Sequence, residues 1–468
     1  MCSRREDPYV DVTESRHDCE YRNVRPFGED DEEKQFMSSS EAEPSVPESK
    51  PLKKKRFYGW NIVIASAITN GLGGSVHWQG FTVFFIPISQ TLGLSAAQTA
   101  IPFALSRAES GLMGPITGWL FDKYGVKRLM IIGTIMSGVG YILLAQTSTF
   151  FAFVFVYLFV ISIGSSTSFM QASTTALNTW FSRRRGMVMS INSAAFRLGG
   201  SFMVPVLSVV VLRWGWQTAA MWVGIGMLIF ITPLAFVYKR SPESMGVGPD
   251  GDALKHTHSE SGLQRGELEE SDDDWTVKDA IRTRAFWTLV AGTVLRMSVH
   301  GTIFVHFVPI LVWKGESQQT AANLIGALAL CSVPLIVFFG WFSDRVGRPP
   351  LLAGCYLAAA SSLLLLTVVD GTWPIFVAML LFTGTEIGSG LNWALVGDLF
   401  GRKRYSTIRG LMAPIYNTPL FIMPIAAGWV FDETDSYKIV MWVGSGLLVA
   451  AALTFLTIKK PVHQSKSA

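Results

Sequence analysis

The sequence GWLFDKYGVKR occupies Gly118–Arg128, and a shorter copy, GWFSDRVGR, occupies Gly340–Arg348. In both copies an aspartate lies four residues after the first glycine, and a basic residue follows that aspartate directly. The copies are displaced by 222 positions, from 118 to 340, which is close to half of the 468-residue chain. The chain therefore contains two related halves.

Two further matches support this repeat. Met221–Gly224 recurs as Met441–Gly444, a displacement of 220 positions, and Ser75–His77 recurs as Ser298–His300, a displacement of 223 positions. Each displacement shifts a residue by six apolar segments, an even number, so both halves have the same topology. Parallel repeats of this kind are typical of transporters whose substrate site lies near the membrane midplane, between the halves.

The composition predicts an α-helical membrane protein. Hydrophobic residues make up 49% of the chain and charged residues 16%, whereas soluble domains carry about 25% charged residues. The chain also has 43 glycines, which allow close helix contact, and 15 tryptophans, which favour membrane interfaces. A net charge of +4 gives no indication of a nucleic-acid partner, and the four cysteines have no metal-ligand spacing.

Twelve apolar runs are long enough to cross a bilayer, which takes about 20 residues each. We call them segments 1 to 12, and we predict them at 58–86, 96–121, 129–147, 150–175, 187–212, 216–238, 285–312, 319–342, 350–369, 373–398, 407–430 and 437–458.

Lysine and arginine in the short loops predict the orientation, because cytoplasmic loops carry an excess of both. The loops at one end of the segments are rich in both residues, whereas the loops at the opposite end hold little beyond Arg213, Lys314 and Lys438. We therefore expect both termini in the cytoplasm of a plasma membrane or a bacterial inner membrane. The basic loops contain Lys123, Lys127, Arg128, Arg183, Arg184, Arg185, Arg345, Arg348, Arg402, Lys403 and Arg404.

The expected organisation has five parts. Residues 1–56 are rich in Glu, Asp, Ser and Pro, which predicts a disordered cytoplasmic tail. Residues 57–239 and 285–460 form the two six-helix bundles. The polar stretch 240–284 is expected to be a cytoplasmic central loop, and 461–468 a short cytoplasmic tail.

The motif at Gly118–Arg128, with its reduced copy at Gly340–Arg348, resembles the loop motif of the major facilitator superfamily. Finer features are similar to the branch of monocarboxylate transporters and oxalate/formate exchangers: Tyr58-Gly59-Trp60, Arg183–Gly186 and Asp398–Arg402. That branch places a cation inside segment 8, and its exchangers place a lysine in segment 11. Here segment 8 has no ionisable residue at mid-depth, so the resemblance does not transfer the substrate.

The resemblance implies gating at the cytoplasmic ends of segments 2 and 8. Asp122 and Asp344 end these segments, where a carboxylate pairs with an arginine or caps a helix N-terminus across the interface. The expected gating residues are Gly118, Asp122, Lys123, Gly125, Arg128, Gly340, Asp344, Arg345 and Gly347.

Ionisable residues at mid-depth are costly in a membrane and are functional candidates by default. Arg107, Arg197 and Arg296 lie at this depth with only Glu109 and Glu386 to balance them. The positive surplus predicts an anion, since the guanidinium fork binds carboxylate in bidentate fashion. The alternative is that Arg107–Glu386 or Arg197–Glu109 form structural pairs between helices. Either glutamate is also a candidate for proton coupling, because burial favours the protonated carboxyl.

The repeated histidines also lie near mid-depth. His300 is four residues after Arg296 and shares its helix face, and His77 is its counterpart in segment 1. We expect the two imidazoles to face each other across a central cavity, where they bind an anion or carry a proton. The alternative is a hydrogen bond from each histidine to a backbone carbonyl. Asn392, which follows the glycine-rich run around Glu386, completes the candidate substrate site.

These observations predict an all-α transporter that moves a small organic anion, a mono- or dicarboxylate, by alternating access with proton coupling. An exchanger without proton coupling and a non-transporting sensor on the same fold are the alternatives. No nucleotide-binding or catalytic motif occurs, so neither an enzyme nor a cofactor is expected. The expected partners are the solute and membrane lipid, and we expect a functional monomer.

Overall fold

The computed structural model describes residues 57–94, 96–252 and 275–461. Within these ranges the chain forms helices and connections and contains no strand, which confirms the all-α class. The predicted tail at 1–56 and most of 461–468 lie outside the described residues.

Each of the twelve predicted segments is helical. The single-run helices are Ala96–Tyr124, Val126–Leu144, Arg284–Trp313, Gln318–Val346, Arg348–Val368, Tyr405–Thr434 and Lys438–Leu456. Segment 10 is divided into Thr372–Phe382 and Gly384–Phe400. Segment 4 consists of Phe150–Phe155, a π-helical stretch Val156–Ser162, Ile163–Ser168 and Met170–Trp180.

Segment 1 is broken into Gly59–Ile68, the π-helical stretch Thr69–Gly74, Ser75–Trp78 and Phe81–Leu92. The wide turn lies where segment 1 approaches segment 5 most closely. A side chain on Gly199 would clash with the backbone of Gly71, so only glycine permits this contact. The irregular helix is therefore a consequence of close packing between two segments.

Segments 5 and 6 form one run, Arg185–Gly226, that continues through Met227–Ile231, Thr232–Leu234 and Ala235–Val237. Gly215 interrupts it with φ 83° and ψ 162°, a conformation outside the helical region. At about 1.5 Å per residue the run is far longer than a bilayer core of about 30 Å. The break at Gly215 lies between the predicted segments 5 and 6.

Among the described residues, nine runs are long and apolar enough to cross a membrane, and Arg185–Val237 counts as one of them. Segment 1 is divided into short pieces, and segment 2 carries Arg107 and Glu109, so neither is among the nine. The count of twelve crossings thus stays a prediction. Large apolar side chains such as Leu212, Phe151 and Trp373 are exposed, as expected of helices that face lipid.

Three apolar clusters hold the helices together. One lies within the first half, around Tyr157 and Trp216, and one lies within the second half, around Phe307 and Met441. The third includes Trp180 and Phe400, from the ends of segments 4 and 10, and so joins the two halves. The halves are consequently packed together at the end that carries the repeated motif.

The described parts of the central region, 240–252 and 275–284, contain short helical pieces. Thr276 caps a short helix, Val277–Arg282, by accepting a hydrogen bond from the amide of Asp279 at 3.2 Å. At the other end of this stretch, Asp250 accepts hydrogen bonds from the amides of Ser182 and Arg183, each at 2.8 Å. The ends of the central region are therefore attached to the helical bundles.

Candidate functional site

The two motif aspartates cap helices of the opposite half. Asp122 accepts hydrogen bonds from the amide and the hydroxyl of Thr407, at 2.9 and 2.5 Å, where segment 11 begins. Asp344 accepts from the amides of Gly186 and Met187, at 2.8 and 2.9 Å, where segment 5 begins. A carboxylate satisfies the unpaired N–H groups and the positive end of the dipole at a helix start. The geometry matches the helix-cap form of the expected latch.

The second copy adds an ion-pair network. Arg348 donates to Asp344 at 2.7 Å and also pairs with Asp398, which in turn accepts from Arg185 at 2.7 Å. Arg185, counted among the basic loop residues in the sequence, is 3% exposed and is buried against Asp398. The sequence feature that indicated this burial is Asp398, an acidic residue at the end of segment 10 that can pair with arginines of two basic loops.

The remaining motif residues shape the turns. Gly125 and Gly347 have φ values of 81° and 94°, which a residue with a side chain rarely adopts. The Lys123 ammonium lies 4.6 Å from the ring centre of Trp119, and the Arg345 guanidinium lies 3.8 Å from that of Trp341. The last expected gating residue, Arg128, is exposed.

At mid-depth an ion pair joins the two halves. Arg197 in segment 5 binds both carboxylate oxygens of Glu386 in segment 10, with its Nε at 3.1 Å from Oε2. The Nε2 of His300 lies 3.5 Å from the same carboxylate, and a nitrogen of Arg197 also donates to Ser332 at 3.4 Å. The predicted pairs Arg107–Glu386 and Arg197–Glu109 are therefore wrong, because Glu386 faces segment 5 across the interface.

Arg296 lies inside the second half and is 1% exposed. Its Nη1 donates to the backbone carbonyl of Thr385 at 3.1 Å, whereas Nε and Nη2 have no hydrogen-bond partner among the described residues. His300, one turn later, contacts the hydroxyl of Thr385 at 3.1 Å, so the two side chains share a face as predicted. The Oδ1 of Asn392 accepts from Thr293 at 3.1 Å, and its Nδ2 also lacks a partner in the described part of the chain. Arg296 and Asn392 thus both have unused donors in the second half.

Arg107 and His77 belong to a separate cluster in the first half. The guanidinium of Arg107 lies over the rings of Trp78 and Phe103, at 5.3 and 5.0 Å from their centres, and the residue is exposed. His77 is 1% exposed and stacks on Tyr157, with 6.0 Å between ring centres. The structure thus places His77 in the interior of the first half and His300 at the interface, without the predicted opposition across an open cavity.

Glu109 faces segment 4. Its Oε2 accepts hydrogen bonds from Ser162 at 2.6 Å, Ser166 at 3.3 Å and Ser110 at 3.4 Å. Its Oε1 is buried and has no partner among the described residues. These serines were not predicted as site residues, because serine is common in apolar helices and its presence there does not indicate a site.

Arg409 is a further buried cation that was not among the predicted site residues. Arg409 is 7% exposed, donates to the hydroxyl of Thr174, and places its guanidinium 4.4 Å from the ring centre of Trp393. Arg409 lies near the start of segment 11. Its partners come from segments 4 and 10, which no local pattern connects.

Helices of this length and apolarity, joined by repeated helix-capping motifs, with charged groups buried at mid-depth, define a multi-pass membrane transporter. The chain matches the family model of the Major Facilitator Superfamily over residues 63–415 and 309–468. It belongs to the major facilitator superfamily, and it is an integral membrane protein and not an enzyme.

Relatives of this chain are transporters. It is 26% identical over 392 residues to a probable sulfoacetate transporter of Cupriavidus necator, an alignment that covers 79% of this chain and 87% of the relative. It is 23% identical over 441 residues to monocarboxylate transporter 2 of Mus musculus, covering 90% and 88%. As a transporter, the chain binds a small-molecule solute.

Solved structures of the superfamily share the fold. FucP, a major facilitator transporter crystallised in the outward conformation, superposes with a TM-score of 0.65 at 13% identity, covering 87% of this chain and 100% of FucP. The proton:xylose symporter XylE also gives a TM-score of 0.65, at 15% identity and covering 86% and 96%. At these identities the likeness concerns the fold alone.

Proposed function

We propose that this transporter carries a small organic anion, a mono- or dicarboxylate or a sulfonate, by alternating access. The observation that carries the proposal is Arg296, a fully buried guanidinium with two unused donor nitrogens. A buried cation without an anion is costly, and the cost disappears when a carboxylate or sulfonate accepts from the free side of the fork. Relatives named for monocarboxylate and sulfoacetate support this class of solute.

Arg296 is the strongest of the three candidate arginines. Arg197 already has Glu386 as its partner, so it binds an anion only if Glu386 is released. Arg107 lies over aromatic rings in the first half and is exposed, so its charge is not buried as that of Arg296 is. Asn392 adds an unused amide donor near Arg296, and His300 bridges this region to Glu386.

The test is anion binding by purified variants. Arg296→Lys keeps the charge but loses the planar fork, and Arg296→Gln loses both. We expect both to weaken anion affinity, with Arg296→Gln worse by about 1–3 kcal/mol, the range for hydrogen bonds to charged groups. Isothermal titration with a panel of organic carboxylates and sulfonates measures the difference.

The matched control is Arg197→Gln combined with Glu386→Gln, which removes another arginine of the helical bundle together with its partner. This double variant should keep anion binding if Arg296 provides the main contact. Unchanged affinity in a well-folded Arg296→Gln protein would rule out Arg296 and leave Arg107 and Arg197 as candidates.

We propose that proton coupling, if the transport cycle uses it, acts through Glu386 and His300. A proton on Glu386 removes the charge that holds Arg197, which loosens the contact between the halves. In proteoliposomes, Glu386→Gln should abolish uptake driven by a pH gradient but retain exchange of labelled solute. Exchange without any response to pH in the unmodified protein would favour the alternative, an uncoupled exchanger.

We also propose that the motif-bearing end faces the cytoplasm, following the bias of Lys and Arg in the loops. Asp252 lies in the central region and its side chain is 55% exposed, so a cysteine introduced there by Asp252→Cys is accessible to a labelling reagent. In a cysteine-free background, an impermeant maleimide should label it only after cells are permeabilised. Labelling of intact cells would invert the orientation.

A further inference from the structure

The carboxylate of Glu109 lies between segments 2 and 4 and is surrounded by hydroxyl groups. Ser162 and Ser166 are one turn apart on segment 4, and both donate to Oε2, at 2.6 and 3.3 Å. Ser110 lies 3.4 Å from the same oxygen and 3.1 Å from Ser166, and Ser106 lies 3.0 Å from Ser162. Five residues from two helices thus bring oxygen atoms together at one point inside the first half.

No cation of the described residues forms an ion pair with this carboxylate. Arg107 is two residues away on the same helix, but its guanidinium lies over Trp78 and Phe103. The second carboxylate oxygen, Oε1, is buried and accepts no hydrogen bond from the described residues. A carboxyl group shielded from water without a cation partner either takes up a proton or pairs with a cation, so one positive charge is to be supplied at this site.

The ligand chemistry indicates which cation fits. All surrounding groups are oxygens, which select hard cations and not the softer transition metals. A hydroxyl that now donates to Glu109 can rotate and offer a lone pair to a cation instead. One carboxylate supplies one negative charge, which a monovalent ion neutralises and a divalent ion exceeds. Coupling-ion sites of secondary transporters lie near this depth.

We propose a sodium-binding site formed by Glu109, Ser110, Ser162 and Ser166, with Ser106 orienting Ser162. The site is distinct from the anion site around Arg296 and lies in the other half of the molecule. It would couple solute movement to a sodium gradient through the packing of segments 2 and 4.

The experiment measures sodium binding in the purified full chain without any solute. Melting temperature is recorded while NaCl replaces N-methyl-D-glucamine chloride at constant ionic strength, and binding of radioactive sodium is measured in parallel. A cation that binds only the folded state raises the melting temperature in a saturable manner. We expect this rise in the unmodified protein.

Ser162→Ala with Ser166→Ala removes two ligands and keeps the titratable carboxyl group. We expect a loss of about 10–100-fold in sodium affinity, the range seen when groups that support a metal site are removed. The matched control is Ser165→Ala on the same helix, whose hydroxyl lies 3.2 Å from Ser137 and belongs to a separate pair. Ser165→Ala should keep the sodium response.

Glu109→Gln gives an independent measurement. It removes the charge, so it should abolish the sodium response and raise the melting temperature in sodium-free buffer above that of the unmodified protein. If the unmodified protein melts equally in both salts but shifts with pH, the site holds a proton and the sodium proposal is wrong. Failure of organic anions to bind while the sodium response persists would contradict only the proposed solute class.

Discussion

Asp122 and Asp344 occupy equivalent positions in the two halves, but they are embedded in different chemistry. Asp122 accepts from the amide and hydroxyl of Thr407 and forms no ion pair among the described residues. Asp344 accepts from two amides and from Arg348, which continues to Asp398 and Arg185. The repeat has kept the helix cap in both halves and added a charge network to only one.

The comparison shows which part of the repeat the fold requires. A cap at a helix start depends on local geometry, and both copies preserve it. Ion pairs depend on side chains from several segments, and here only the Asp344 copy has them among the described residues. We therefore expect the contact through Asp344 to be the stronger and more salt-sensitive of the two.

The largest effect is expected at Asp398, which joins Arg348 to the buried Arg185. Asp398→Asn leaves the buried Arg185 without a carboxylate and Arg348 with Asp344 alone. Removing one partner of a fully buried pair costs about 3–5 kcal/mol, which is an upper bound here because the Asp398 side chain is 26% exposed. A large fall in melting temperature of the purified protein should result. The matched control is Asp370→Asn: Asp370 pairs with Lys314 at 3.0 Å, but its side chain is 86% exposed. That exposed pair should contribute about 0–1 kcal/mol, and equal effects of the two changes would contradict the network.

The two capping aspartates should differ by a smaller amount. Asp344→Ala removes a charged acceptor from Arg348 and from two amides, which we expect to cost about 1.5–3 kcal/mol. Asp122→Ala removes a helix cap alone, at about 0.5–2 kcal/mol. Unfolding in denaturant measures the loss of unfolding free energy for each variant. Added salt should reduce the difference between the two losses, because it weakens the ion pairs of Asp344. If Asp122→Ala proves the more destabilising, the interpretation of the network as an added contact fails.

Uptake assays on milder variants separate gating from binding. Asp122→Asn should slow transport while leaving the affinity for solute nearly unchanged, because Asp122 lies at the helix end and not at mid-depth. Complete loss of equilibrium binding in a folded Asp122→Asn protein would contradict a gating role.

The glycines that let the halves touch give a second comparison between the two motif copies. A side chain at Gly118 would meet the backbone oxygen of Ser406, whereas one at Gly340 would meet the side chain of Ser190. Overpacking of this kind costs about 1–3 kcal/mol. We expect Ser190→Gly to rescue Gly340→Ala, and Ser406→Gly to leave Gly118→Ala unrescued because the obstacle there is backbone.

Melting temperature and uptake should both recover in Gly340→Ala combined with Ser190→Gly, and neither should recover in Gly118→Ala combined with Ser406→Gly. Gly354→Ala serves as the control, since a side chain at Gly354 meets nothing within 4 Å. Rescue of both substitutions, or of neither, would show that the two contacts do not differ as their geometry indicates.

The sequence by itself determined the helical class, the helical character of the twelve predicted segments and the repeat of the two halves, but not the short helix Val277–Arg282. Apolar runs of this length have only one stable form in a bilayer, because every backbone N–H and C=O must be paired within the segment. The motif aspartates were also predictable, since their place at a helix end is a local property. The segment boundaries at Gly215 and Gly125 follow from glycine in the same way.

Only the tertiary structure decided which charges meet. Arg197 and Glu386 are 189 positions apart, and their pairing depends on how segments 5 and 10 are rotated against each other across the interface. The same holds for Arg185, whose burial comes from Asp398 and not from its own loop. Ser162 and Ser166, which donate to Glu109, lie on segment 4, and no pattern in segment 2 predicts them as its partners. Helix rotation about its axis is set by the packing of all neighbours at once, so partners across an interface cannot be read from one segment alone.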